Sequence, residues 1–87
     1  MRPNALVIND SDNVAVALED IGAGGRVLLA DGRELEAVED IPFSHKVALR
    51  DFVRGEDILK YGEVIGQARE EIRAGSWIHT HNLVVED

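Results

Sequence analysis

Apolar and polar residues change places in short runs along this chain, and no stretch keeps helical spacing for longer than two turns. Short β-rich segments divided by Gly, Asp and Asn recur throughout, predicting strands over residues 5–8, 13–18, 26–29, 35–38, 45–49, 63–68 and 77–81. The fold class this predicts is all-β. In the second segment the larger Val14, Val16 and Leu18 alternate with small or polar residues, the pattern of a strand with one face on a core. Ala30-Asp31-Gly32-Arg33 predicts a hairpin, since Asp-Gly supplies the positive φ angles of a two-residue turn. Pro42 has no amide hydrogen and belongs outside a central ladder.

An internal repeat organises the chain. Asp20-Ile21-x-x-Gly24-x-x-Val27, Asp51-Phe52-x-x-Gly55-x-x-Ile58 and Glu71-Ile72-x-x-Gly75-x-x-Ile78 share one order of acid, apolar, Gly and apolar. The acid is suited to capping a single helical turn, the next side chain to plugging a core, and the Gly to the left-handed conformation that sends the chain into a strand. The copies start 31 and then 20 residues apart, so they form a recurring turn inside one domain and not a regular solenoid.

Length and charge narrow the function. Eighty-seven residues make one small domain, with 9 Lys and Arg against 17 Asp and Glu and a net charge of −8, which argues against nucleic acid or an anionic membrane as partner. No apolar run is long enough to span a bilayer or to serve as a signal-peptide core, so a soluble, cytoplasmic protein is expected. Without cysteine, any metal must take nitrogen or oxygen ligands. Ordering each residue costs about 1.5 kcal/mol, and a chain with only two Phe, one Trp and one Tyr has little to set against it. A homo-oligomer or a larger partner would add burial. Residues 1–43 carry most of the negative charge, whereas residues 44–82 balance six bases against six acids and hold every histidine and both lysines. That second half is the one suited to receive an anion.

His79-Thr80-His81-Asn82 closes the last predicted strand. On an extended strand, positions i and i+2 share a face, so His79 and His81 would project two imidazoles together, able to chelate a divalent metal or to bind a carboxylate when protonated. The alternative is a pair of surface or interface histidines. Ser44-His45-Lys46 opens another strand, where His45 is a third imidazole and Lys46, on the other face, is free to meet an anion or to stay solvated. Lys60-Tyr61-Gly62-x-x-Ile65-Gly66-x-Ala68 lacks the spacing of a nucleotide loop, and Gly66 in a strand suggests a close backbone approach. The pairs Glu70-Glu71 and Glu86-Asp87 read as solvated faces, and no Ser/His/Asp spacing supports a hydrolase.

Taken in order, Ile41-Pro-Phe-Ser-His45-Lys46-Val-Ala-Leu49, Lys60-Tyr61-Gly62-Glu-Val-Ile65-Gly66-Gln-Ala68 and Gly75-Ser-Trp-Ile-His79-Thr-His81-Asn82 resemble the SAF domain of altronate and galactarate dehydratases, where it forms the N-terminus or a small subunit. Asn13-Val-Ala-Val-Ala-Leu18-Glu-Asp20-Ile21 resembles the family's opening strand, so the resemblance runs from about residue 4 to residue 83 of a single domain over 1–87. Ser44 departs from the family's usual Gly, and Arg69-Glu70 from its usual Thr. The resemblance implies a β-clip fold, dehydration of a sugar acid with the help of iron or another divalent metal, and a much larger companion segment bearing most of the catalytic machinery. A related small subunit serves sulfolactate sulfo-lyase. Under this resemblance His45, Lys46 and Lys60 are expected to bind substrate and His79 and His81 to bind metal, with the partner holding much of the coordination. The rival of another class is a non-catalytic carbohydrate-binding or oligomerisation module.

Overall fold

The repeated turn has a fourth copy. The structure, a computed structural model, describes residues 2–85, and in it Asp40-Ile41-Pro42-Phe43-Ser44 follows the same path as the three glycine turns. Ser44 sits at φ 68°, beside 84° for Gly24, 90° for Gly55 and 87° for Gly75. A serine in the glycine position hid this copy from the pattern. All four turns are preceded by a buried alanine, at Ala17, Ala37, Ala48 and Ala68. In each turn the N–H of the positive-φ residue donates to the alanine carbonyl of another copy: Gly24 to Ala37, Ser44 to Ala17, Gly55 to Ala68 and Gly75 to Ala48, all at 2.7–2.8 Å. The copies therefore pair. Residues 17–47 and 48–78 are two versions of one unit, displaced by 31 positions.

Among the described residues nine strands carry this plan: β1 (Ala5–Leu6), β2 (Val14–Ala17), β3 (Arg26–Leu28), β4 (Glu34–Glu36), β5 (Lys46–Ala48), β6 (Asp57–Lys60), β7 (Glu63–Ala68), β8 (Trp77–Ile78) and β9 (Leu83–Val84). They form three antiparallel sheets, ordered β1-β2-β5-β8, β3-β4 and β6-β7-β9, with isolated bridges at Ile21–Ile41 and Phe52–Ile72. The fold is all-β, with no helix among the described residues, as a small β-clip domain requires. No helix of the structure is long and apolar enough to cross a membrane. β6 is the strand expected after the Gly55 turn, there without bounds, and β9 was absent from the sequence expectation because Leu83-Val84 is only a dipeptide.

Each unit owns a core. Ala17, Ile21, Val27, Ala37, Ile41 and Val47 pack in the first; their counterparts Ala48, Phe52, Ile58, Ala68, Ile72 and Ile78 pack in the second. The central sheet divides the two, since Ala15, Val47 and Trp77 are cross-strand neighbours facing the first core while Val14 and Ala48 face the second. β2 is thus buried on both faces, which corrects the one-faced expectation: the small Ala15 and Ala17 are wholly enclosed, and Leu18 is 46% exposed.

Asp20 and Asp51 do not cap helical turns as expected, and Asp40 of the fourth copy behaves as they do. Asp20 accepts from the N–H of Phe43, Asp40 from Ala23 and Asp51 from Ala74, so each carboxylate holds the partner copy. The expected two-residue turn at Asp31-Gly32 is a three-residue loop, with Leu29 N–H donating to the Arg33 carbonyl and only Gly32 at positive φ. The two-residue turn lies at Tyr61-Gly62, where φ is 60° and 74° and Lys60 pairs with Glu63. Asp12 builds it, accepting from the N–H groups of Asn9, Tyr61 and Gly62. Pro42 lies between strands, Glu70 and Glu71 are exposed, and Glu86 and Asp87 fall outside the described residues.

Candidate functional site

Strand β8 stops at Ile78, one residue before the first histidine of the pair. Asn82 stops it. Its side-chain oxygen accepts from the His79 N–H at 3.0 Å, its amide nitrogen donates to the Trp77 carbonyl at 2.9 Å, and the N–H groups of Asn82 and Leu83 both donate to the His79 carbonyl. Residues 79–82 are therefore a turn into β9, which corrects the expected extended run to residue 81. The premise that His79 and His81 share a strand face goes with it.

An aromatic side chain brings the histidines together instead. The Trp77 indole stacks on His79 at 5.3 Å between centroids and 9° between planes, and meets His81 at 5.1 Å and 47°. His45 lies 4.9 Å from His79, and its Nδ1 accepts the Trp77 indole N–H at 3.0 Å. The main chain of Trp77 is fixed in turn by Glu39, whose carboxylate accepts its N–H. His45 and His79 are half-buried and His81 is exposed, so the group forms a surface that could be completed by a facing surface. A cleft of about 280 Å³ beside it, lined by Glu39, Glu70, Arg73 and Asn82 among others, reaches His81 only.

The two lysines form a separate group. Val47 faces the first core with Trp77, whereas Lys46 lies between Val16 and Ile78 on the other side of β5. Partial burial, with the positive charge of Lys60 adding to it, holds the Lys46 ammonium below the usual lysine range. Among the described residues neither lysine has an acidic partner within ion-pair distance, although acids outnumber bases in the chain; Lys60 lies 5.0 Å over the Tyr61 ring. Two like charges left unpaired and partly desolvated favour an incoming anion.

As a metal centre the donor set falls short. Among the described residues no three His, Asp or Glu side chains converge to hold an ion. His79 and His81 offer two imidazoles arranged about Trp77, and Nδ1 of His45 is committed to the indole. Trp77, Asn82 and Glu39 carry the geometry of this surface, and none was singled out from sequence. Asn82 ends the His-x-His-Asn run, where a turn-forming side chain was the available signal.

Set against known proteins, residues 3–86 match the family described as the altronate/galactarate dehydratase SAF domain. The chain belongs to that family. It is 42% identical over 80 residues to galactarate dehydratase (L-threo-forming) of Escherichia coli K12, covering 92% of the chain and 15% of that enzyme. It is 44% identical over 75 residues to altronate dehydratase of Bacillus subtilis 168, covering 86% of the chain and again 15% of the enzyme. With the alpha subunit of (2R)-sulfolactate sulfo-lyase of Chromohalobacter salexigens it shares 34% identity over 84 residues, covering 88% of the chain and 89% of that subunit. The SAF chain thus spans about a seventh of the dehydratases it matches and most of the sulfo-lyase subunit.

Proposed function

We propose that this SAF chain completes the active site of a larger lyase that removes water from a sugar acid of the altronate or galactarate type. The observation that carries this reading is the convergence of His45, His79 and His81 on Trp77, on the surface of a domain whose dehydratase relatives are mostly other sequence. In the reaction a base takes the proton at C2, the electron pair delocalises into the carboxylate, and the C3–oxygen bond breaks as an acid protonates the departing hydroxyl. Water leaves, and the enol becomes a 2-keto-3-deoxy acid. One surface bearing three imidazoles does not supply the base, the acid, the charge stabilisation and a closed pocket together. Imidazole hydrogen bonds to the substrate come from the histidine surface, and Lys46 and Lys60 add an anion contact on the other side of β5. A divalent metal, iron in the first instance, would polarise the substrate; most of its coordination would belong to the larger part, with His79 and His81 as the imidazoles this chain would offer.

A second reading is supported by the 89% coverage of the sulfo-lyase alpha subunit: the same surface would serve elimination of sulfite from sulfolactate. Co-expression of the chain with a large dehydratase or sulfo-lyase subunit, assayed on altronate, galactarate and sulfolactate with and without Fe²⁺, separates the two. The isolated chain is expected to be inactive. In the assembly, His79→Ala and His81→Ala are expected to lose activity while remaining folded, with the exposed His81→Ala keeping its melting temperature. Turnover by the isolated chain, or full activity in the double variant, overturns the proposal. Sugar-acid affinity retained by the isolated chain would favour a binding module instead.

A further inference from the structure

An indole N–H is a donor and never an acceptor, so the 3.0 Å contact from Trp77 fixes His45 Nδ1 as the acceptor. The neutral ring that accepts there carries its proton on Nε2. That nitrogen has no hydrogen-bond partner among the described residues, and it is not among the buried polar atoms left unpartnered, so it reaches the surface. Histidines that ligate a metal show the opposite polarity: the other ring N–H donates to a carboxylate or a carbonyl, which leaves the ligating nitrogen bare. His45 has its bare nitrogen turned inward and occupied. The indole itself is held by its stacking on His79 and by the Glu39 bond to its backbone, so the donor cannot swing away without unpacking β8.

We infer that Trp77 is a positioning residue that sets His45 as an Nε2–H donor toward an oxygen of the hydroxy acid, and that His45 is not a metal ligand. The inference rests on the lyase reading only for the identity of that oxygen, in the carboxylate or the departing hydroxyl. The ring polarity stands on the contact alone.

Nitrogen-detected NMR of the full ¹⁵N-labelled chain tests the polarity. A coupling across the hydrogen bond is expected between Trp77 Nε1 and His45 Nδ1, with the His45 proton on Nε2, and Trp77→Phe is expected to lose the cross-peak. Added Zn²⁺ is expected to leave that Nε2 proton in place. A wild-type ring protonated on Nδ1, an absent cross-peak, or loss of the Nε2 proton to Zn²⁺ overturns the inference, and the wild-type spectra decide even if Trp77→Phe does not fold. In the assembled lyase His45→Gln, which keeps an N–H donor, is expected to retain at least tenfold more kcat/KM than His45→Ala; equal losses overturn the donor role. Absence of activity in the wild-type assembly counts against the lyase reading and leaves the NMR result to decide the ring.

Discussion

Ser44 donates its N–H to the carbonyl of Ala17 at 2.8 Å from a backbone φ of 68°, in the place where the three sister turns use glycine. A side chain in the left-handed region crowds the carbonyl that follows, at a cost of roughly 1–2 kcal/mol, while glycine gives back part of the gain through the freedom of the unfolded chain. Ser44→Gly is therefore expected to stabilise the domain by about 0.5–1 kcal/mol. Urea unfolding of the two chains measures it, and a destabilised variant would mean that the hydroxyl has work the turn geometry does not show.

Gly75 and Gly24 share a conformation and differ in surroundings. A Cβ on Gly24 would meet nothing within 4 Å, whereas on Gly75 it would run into the backbone carbonyl of Glu36. Gly24→Ala is expected to cost about 1–2 kcal/mol from φ alone, and Gly75→Ala roughly 3 kcal/mol or more, because backbone must also move. Equal midpoint shifts in thermal unfolding would contradict this account of how the second unit docks on the first.

Burial opposes ionisation of Asp12, but hydrogen bonds from the backbone of Gly62, Asn9 and Tyr61 outweigh it and hold the carboxyl below its usual range. For an acid with a lowered folded pKa, the stabilisation is present above the ordinary value of 3.8 and is lost as pH falls through the folded value. Asp12→Ala is expected to cost about 1.5–3 kcal/mol near neutrality, as for hydrogen bonds to a charged group. Amide exchange should quicken at Tyr61 and Gly62 in the variant, and in the wild type only below about pH 4. Unchanged exchange at those two amides would show that the turn holds itself.

Lys46 runs the other way. Its folded pKa lies below the ordinary 10.5, so the charged form weighs against folding at neutral pH, and that penalty fades as pH climbs from the folded value to 10.5. Lys46→Met should therefore raise the unfolding midpoint of the free chain at pH 7, by about 0.5 kcal/mol once solvent screening of a half-exposed group is allowed for, and should give no advantage above pH 10.5. In the assembly proposed above the same change is expected to raise KM. A stabilising change that also weakens substrate binding is the signature expected of a residue kept for its charge.

The all-β class, three of the four turns, and the positive φ of Gly24, Gly55 and Gly75 were legible because each rests on local chemistry: an acid, an apolar plug and a Gly at fixed offsets. The fourth turn was not, since a serine can be forced into the left-handed region by its neighbours and nothing local announces it. The pairing of the turns was equally hidden, because Asp20 reaches Phe43 and Asp51 reaches Ala74 only after the chain has folded back. At the candidate site, the residue types His45, His79 and His81 were visible, but their arrangement was inferred from strand alternation. The arrangement instead follows from Asn82 ending the strand and Trp77 gathering the rings, both products of contacts between β5, β8 and the turn after it.

Val47 ends the first unit and Ala48 begins the second, with no residue between them. One three-residue strand is therefore common property of both halves, and a chain break within it would strip a wall from two cores at once. Neither half could be expressed alone as an independent fold, and the two should melt in a single cooperative step with the slowest-exchanging amides along β5. A circular permutant opened instead at the exposed Tyr61-Gly62 turn leaves that strand whole.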